Sequence, residues 1–176
     1  EKLEVGQKKQ KLYIGIPKET EFQEQRVALV PQSVGLLIAN GHRVVVETGA
    51  GINANFSDND YSEAGAEIAY DTQEIYKADI ILKVTPPNDN EINMMKHKQI
   101  LFSASQLTVQ PKSALKKLMD KKITAIAWDY IEDEGGSFPV IRSMGEIAGT
   151  TAFLIAAELM SNANKGKGLM LGGVAG

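Results

Sequence analysis

The feature that most restricts this chain is a repeated change of rhythm. A short run of β-branched residues is followed by a break, then by a stretch with helical spacing, then by another such run. Leu12 to Ile16 reads as a first strand, stopped by Pro17. Pro31 fits the first turn of a helix that carries Val34, Leu37 and Ile38 on one face, and Asn40-Gly41 ends it with Gly41 as a left-handed cap. Arg43 to Glu47 is a strand built on three consecutive valines. Ser57 is placed to N-cap a short helix with Asp60 in its first turn, and Gly65 closes it. Asp71 and Glu74 have a capping-box spacing. Ile80 to Val84 is the fourth strand, ended by Pro86-Pro87; a short helix follows from Asp89 to Lys96. Ile100 to Ser103 is the next strand, Pro111 to Met119 a helix, and Ile123 to Trp128 a sixth strand. Strands this continuously apolar suit burial on both faces, which is the condition of a parallel sheet. The expected class is therefore α/β: a doubly wound parallel sheet of Rossmann-like or flavodoxin-like type.

After Gly135-Gly136 the rhythm changes. A longer helix is expected from about Glu146 to Ser161, with Leu169 to Leu171 starting a new strand. The division expected is a flexible N-terminal arm over 1–11, an α/β domain over 12–141, and an interdomain helix with the start of a second domain over 142–176. The 176 residues include 43% hydrophobic and 23% charged residues, enough for a real core. Net charge is −3 with no basic stripe, which argues against nucleic acid as a partner. The absence of cysteine excludes disulfides and thiolate chemistry and suits a cytoplasmic setting. No apolar run is read as reaching the roughly 18–20 residues of a membrane helix. The longest candidate, Gly149 to Met160, contains Thr150, Thr151 and Glu158, so no membrane insertion is expected. The polar arm has no signal-peptide core.

In open parallel sheets, ligands bind outside the carboxyl ends of the strands. Three residues meet that condition with useful chemistry. Arg26 lies in the loop after the first strand, Lys83 follows the apolar residues of the fourth, and Gln106 lies in the loop after the fifth. Arginine offers a planar fork to a carboxylate, lysine a point charge to a carbonyl, and glutamine one donor and one acceptor. A small carboxylate is the ligand this set suits. Each also has a plainer reading, as a surface arginine, a paired strand-end lysine and a loop glutamine. Lys83 is the least ordinary, since a charge at the end of an Ile-Ile-Leu run needs a partner. His42 and His97 precede strands, away from these ends, and no metal site is expected. The cluster Glu132-Asp133-Glu134 reads as a solvated turn. Gly49-Ala50-Gly51 and the glycines from 166 to 176 fall short of a complete Gly-x-Gly-x-x-Gly.

Several segments together resemble the alanine dehydrogenase and nicotinamide nucleotide transhydrogenase alpha-subunit family. They are Gly15-Ile16-Pro17-Lys18-Glu19 with Arg26-Val27-Ala28 and Pro31; Glu47-Thr48-Gly49-Ala50-Gly51 with Phe56 and Ala64-Gly65-Ala66; Ile81-Leu82-Lys83-Val84 with Pro87; Met144 with Glu146-Ile147-Ala148-Gly149; and Leu171-Gly172-Gly173-Val174. They are collinear over residues 12 to 176. The resemblance implies a two-domain, homo-oligomeric subunit, with this chain as its substrate domain and the entry to an NAD-binding domain that lies mainly beyond Gly176. It implies that Arg26 and Lys83 hold the carboxylate and carbonyl of pyruvate or alanine, and that Met144 and Gly145 line the nicotinamide end of the cleft. Two departures stand out. Gln106 replaces the histidine usual in the dehydrogenase branch, so it can orient a substrate or water but not transfer a proton. Gly145 replaces a serine.

The leading expectation is an NAD-dependent alanine dehydrogenase, inactive as this chain alone. In it Lys83 and Gln106 take the catalytic roles. Arg26→Ala and Lys83→Ala are each expected to cut activity and leave the fold intact. The rivals are the NAD(H)-binding alpha subunit of a proton-translocating transhydrogenase, and a non-catalytic module that binds small carboxylates.

Overall fold

A computed structural model describes residues 11–104, 106 and 109–172. The expected arm therefore lies outside the described residues except for Lys11, as does the Gly173-Val174 end of the last segment of resemblance. The chain divides into two compact units, Glu1–Trp128 and Asp129–Gly176.

The first unit is built on six parallel strands in the order β3-β2-β1-β4-β5-β6. They are β1 (Tyr13–Ile16), β2 (Arg43–Glu47), β3 (Glu67–Ala69), β4 (Ile80–Leu82), β5 (Ile100–Ser103) and β6 (Thr124–Ala127). The α/β reading holds, and the order is that of a doubly wound sheet. No residues were named for β3 from the sequence: at three residues it is too short to show a period. Register is in phase across the centre, with Ile14 opposite Val44 on one side and Ile80 on the other. Helices α1 (Pro31–Ala39), α2 (Asp58–Glu63), α3 (Thr72–Ile75), α4 (Asp89–Met94) and α5 (Lys112–Asp120) connect the strands.

Alternation along each strand sends side chains to two cores. Ile14, Ile16, Val44, Val46, Ile80 and Leu82 meet Val34 and Tyr61 on one face. Val45, Ile81 and Leu101 meet Ile75, Tyr76 and Met95 on the other. Gly15 takes its turn on the second face, and there a side chain has no room. A Cβ at this position would lie 2.6 Å from the Ile75 carbonyl oxygen, so glycine lets the backbone at the end of α3 approach β1.

The caps are those the sequence marks. Gly41 is left-handed, its N–H donates to Ile38, and the His42 N–H donates to Leu37, a Schellman closure of α1. Ser57 and Asp60 form a reciprocal capping box on α2; Asp71 caps α3 by accepting the Gln73 N–H, without the return bond from Glu74 that its spacing suggested. A further capping box, Asn88 with Glu91, starts α4.

The second unit is dominated by one helix, α6 (Pro139–Met160). It begins seven positions earlier than the sequence suggests, at Pro139 rather than Glu146. Thr150 and Thr151 do not interrupt it, because their hydroxyls donate back to the Glu146 and Ile147 carbonyls at 3.0 and 2.8 Å. This corrects the reading of its apolar length as well: α6 has 22 residues and contains an 18-residue window of mean hydropathy 1.2, so it is long and apolar enough to cross a membrane by length and composition. None of its residues is buried. Leu169 to Leu171 do not form a strand; Leu169 and Met170 are exposed, and no described strand pairs with them.

Candidate functional site

β1 and β4 are neighbours at the centre of the sheet, and their outgoing connections lead to opposite sides of it. This is the topological switch point, where doubly wound sheets open a crevice beyond the strand ends. Lys83 follows β4 directly. Its N–H still donates to the Phe102 carbonyl at 2.8 Å, so the ladder carries on past the last strand residue and holds the lysine backbone in place. The Lys83 carbonyl is held too, by the Trp128 indole N–H at 2.6 Å, with the indole packed on Phe102 at 5.2 Å between ring centroids.

The Lys83 side chain is fully buried. Its ammonium donates to Glu91 Oε1 at 2.8 Å and to Glu19 Oε2 at 3.2 Å. Each carboxylate is itself anchored. Glu91 Oε2 accepts the Asn88 N–H at 2.7 Å, as the N3 member of the α4 capping box. Glu19 arrives from the loop after β1. Its Oε1 accepts the Val84 N–H at 2.6 Å and its Oε2 the Thr85 hydroxyl at 2.5 Å. Glu19 thus ties the β1 loop to the β4 loop across the switch point. One ammonium between two carboxylates leaves a formal charge of about −1 in a covered site, which is tolerable only because every oxygen has a donor.

Tyr76 lies under this cluster. Its hydroxyl is buried beside Glu91, without a bond of full hydrogen-bond geometry among the described residues. Burial first, then the charge and hydrogen-bonding approach of Glu91, then the charges of Glu47 and Glu19, hold the phenol far above its ordinary value, so it stays neutral.

Arg26 is on the same loop as Glu19, and its side chain is more than half exposed. Glu24 engages it through two parallel bonds, Nε to Oε1 at 2.8 Å and Nη2 to Oε2 at 2.6 Å. That pairing lowers the Glu24 carboxyl below its usual range and raises the guanidinium, with the charge of Glu19 adding to the latter. Glu19, which pairs with Lys83, lies on the same loop as Arg26 and acts on it through charge only. Gln106 sits elsewhere on the same end of the sheet. It has a left-handed backbone (φ 41°) and lines a cleft of about 450 Å³ together with Thr85, Asn88, Gln110 and Ser113. Arg26 and Lys83 do not line that cleft. Met144 and Gly145 belong to the second unit, on α6; Met144 is exposed and Gly145 has open space where a side chain would be. His42 accepts the Leu12 N–H at 3.3 Å, at the opposite, amino end of the strands.

The sequence reading missed Glu19, Glu91 and Trp128 as parts of this cluster. A signal for Glu91 was present: Asn88 and Glu91 have the spacing of a capping box. Nothing local marks Glu19, which is 64 positions from Lys83. Among the described residues, no group of three His, Cys, Asp or Glu side chains is placed to hold a metal ion.

An open parallel sheet with a buried lysine–carboxylate cluster at its switch point defines a doubly wound α/β domain with a polar site at the strand ends. The sequence profile described as "Alanine dehydrogenase/PNT, N-terminal domain" matches residues 15–148. The chain belongs to that family. It is 41% identical over 165 residues to the alanine dehydrogenase of Bacillus subtilis (strain 168), covering 94% of this chain and 43% of the relative. Among solved structures it superposes on an L-alanine dehydrogenase with a TM-score of 0.84 and 37% identity, over 92% of this chain and 44% of that one. A transhydrogenase from Sinorhizobium meliloti gives a TM-score of 0.61 and 30% identity, over 66% and 33%. The chain spans less than half the length of the relatives it matches.

Proposed function

We propose that this chain is the substrate-domain portion of an NAD-dependent alanine dehydrogenase, which interconverts L-alanine with pyruvate and ammonia. The observation that carries the reading is the buried Lys83 at the switch point, fixed by Glu91 and Glu19 and joined through Glu19 to the loop bearing Arg26. The dehydrogenase branch is favoured over the transhydrogenase branch by the longer and closer superposition.

In this reading the Arg26 fork takes the substrate carboxylate. An ammonium has three N–H donors; two of those on Lys83 are committed to carboxylates, and the third meets the substrate carbonyl and stabilises the negative charge that develops there. Lys83 is fully covered in this structure, so substrate reaches it when the loop carrying Glu19 shifts. Gln106 orients substrate or water and moves no proton, because an amide does not titrate in the working range. Met144 and Gly145 are assigned to the nicotinamide end of the cleft.

NAD supplies hydride exchange with the substrate carbon. The described residues do not form a phosphate cradle for it. Gly166 and Gly168 instead close α6, their N–H groups donating to the Ser161 and Met160 carbonyls at 2.9 and 3.0 Å. NAD binding is therefore assigned mainly to the length of the relatives that this chain does not span. The complete protein is proposed to act as a cytoplasmic homo-oligomer, a reading supported by the exposed apolar residues of α6, among them Ile147, Phe153 and Leu154, and by the lack of cysteine.

The test is NADH oxidation by the complete protein, with pyruvate and ammonium present together and each left out in turn. Oxidation that needs both supports the assignment. A folded protein that binds NADH and turns over neither sinks it.

A further inference from the structure

Three carboxylates surround the two cations of the site, and they are not held alike. Glu19 and Glu91 are nearly covered, and each grips backbone N–H groups of the β4–α4 loop as well as Lys83. Glu24, 10% exposed, differs in its partners rather than in its cover. Its side chain bonds Arg26, two positions along, through the guanidinium Nε and Nη2 and the Arg26 N–H at 2.9 Å, with the Gln25 backbone nearby. Among the described residues it bonds no other element of the fold. The two parallel bonds it makes are the geometry by which a guanidinium takes a free carboxylate.

A substrate carboxylate that approaches by the Nε–Nη2 edge would compete with the Glu24 carboxylate for it. Glu24 has the advantage of being tethered, which gives it a high effective concentration at Arg26. The incoming acid has the advantage of an arginine side chain that is more than half exposed. Resting on the reading that Arg26 receives the substrate carboxylate, we propose that Glu24 is an internal competitor for that edge, and that it sets the affinity for the acid substrate. Binding is then an exchange of one carboxylate for another, and the apparent affinity is reduced by the fraction of molecules in which Glu24 holds the fork. Arg26 keeps Glu24 ionised, so the competitor is present throughout the neutral range.

The experiment uses the complete protein. Pyruvate binding in the presence of NADH is measured by calorimetry for wild type, Glu24→Gln and Glu24→Ala, and KM and kcat for pyruvate are measured beside it. With Arg26 more than half exposed and Glu24 10% exposed, the pair is worth a modest amount, so a tightening of about twofold to fivefold is expected in both variants, read as a lower Kd and a lower KM. The same direction in two variants of different size keeps the test standing if one of them folds poorly. Unchanged or weaker binding in the folded variants overturns the competition; weaker binding would make Glu24 a residue that orients Arg26. Turnover of pyruvate and ammonium with unchanged affinity leaves the dehydrogenase reading intact and removes this proposal. Tighter pyruvate binding without turnover does the reverse. A wild type that does not bind pyruvate removes both.

Discussion

Burial makes Lys83 a residue of the fold as well as of the proposed site. From sequence alone, Lys83→Ala is a change in activity only. With the ammonium gone, Glu19 and Glu91 would face each other in a covered space without their shared counter-ion. Removing one partner of a buried pair costs about 3–5 kcal/mol, against a total stability of about 5–15 kcal/mol for a domain. Lys83→Ala is therefore expected to lower the urea midpoint of the first unit markedly, and adding Glu19→Gln should recover part of the loss. Equal midpoints for wild type and Lys83→Ala would show that the carboxylates find other partners. Arg26→Ala removes a pair in which only the arginine is well exposed, so its stability change is expected to be smaller, about 1 kcal/mol, with the main effect appearing in activity. The sequence identified Lys83 as a charge that needs a partner, but could not say which. One partner comes from the next helix, within reach of local rules. The other comes from a distant loop, and only the closing of β1 against β4 brings it near.

The elements themselves were more legible, because each is set by local chemistry. Gly41, Ser57 and Asp71 cap where their side chains or backbone freedom predict. What local chemistry could not give was the tightness of packing between elements, and Gly15 shows it. Gly15→Ala would place a methyl 2.6 Å from a backbone oxygen that cannot rotate away. The expected cost is about 1–3 kcal/mol or more, measured as a loss of unfolding free energy. A neutral result would mean that α3 can slide outward freely. At the edge of the sheet, Arg43 clasps Glu67 with bonds of 2.8 and 2.6 Å, joining β2 to β3. The guanidinium lowers the Glu67 carboxyl below its ordinary value. A lowered carboxyl stabilises the folded chain fully above the ordinary glutamate value of about 4.3, and the contribution is lost as pH falls through the lowered folded value. Both groups are about half exposed, so the effect is small. Glu67→Gln is expected to flatten the acid limb of a plot of urea midpoint against pH, leaving neutral stability within about 1 kcal/mol.

At the scale of the whole molecule, the two units differ in how their apolar residues are used. The first hides Ile14, Val44, Ile81 and their neighbours; the second leaves Ile147, Phe153, Leu154 and Leu159 in solvent. Patches of that kind associate. A shortened chain ending at Trp128 is expected to remain monodisperse in light scattering at concentrations where the 176-residue chain self-associates. The opposite ranking would place the sticky surface on the sheet unit. The apolar length of α6 was underestimated from sequence because the run was counted only from Gly149 and Thr150, Thr151 and Glu158 read as interruptions. Within a helix, each threonine hydroxyl finds the carbonyl four residues back.

Trp128 is the single tryptophan of the chain, and its indole N–H rests on the carbonyl of Lys83. That makes the residue a built-in optical reporter. Its emission belongs to one place, the strand-end backbone beneath the ionic cluster, with no second fluorophore of its kind to blur the signal. A ligand that disturbs Lys83 should alter the colour or intensity of that emission, and one bound elsewhere should leave it unchanged. Titrations of the switch point can therefore be followed by light alone, without a label and without turnover.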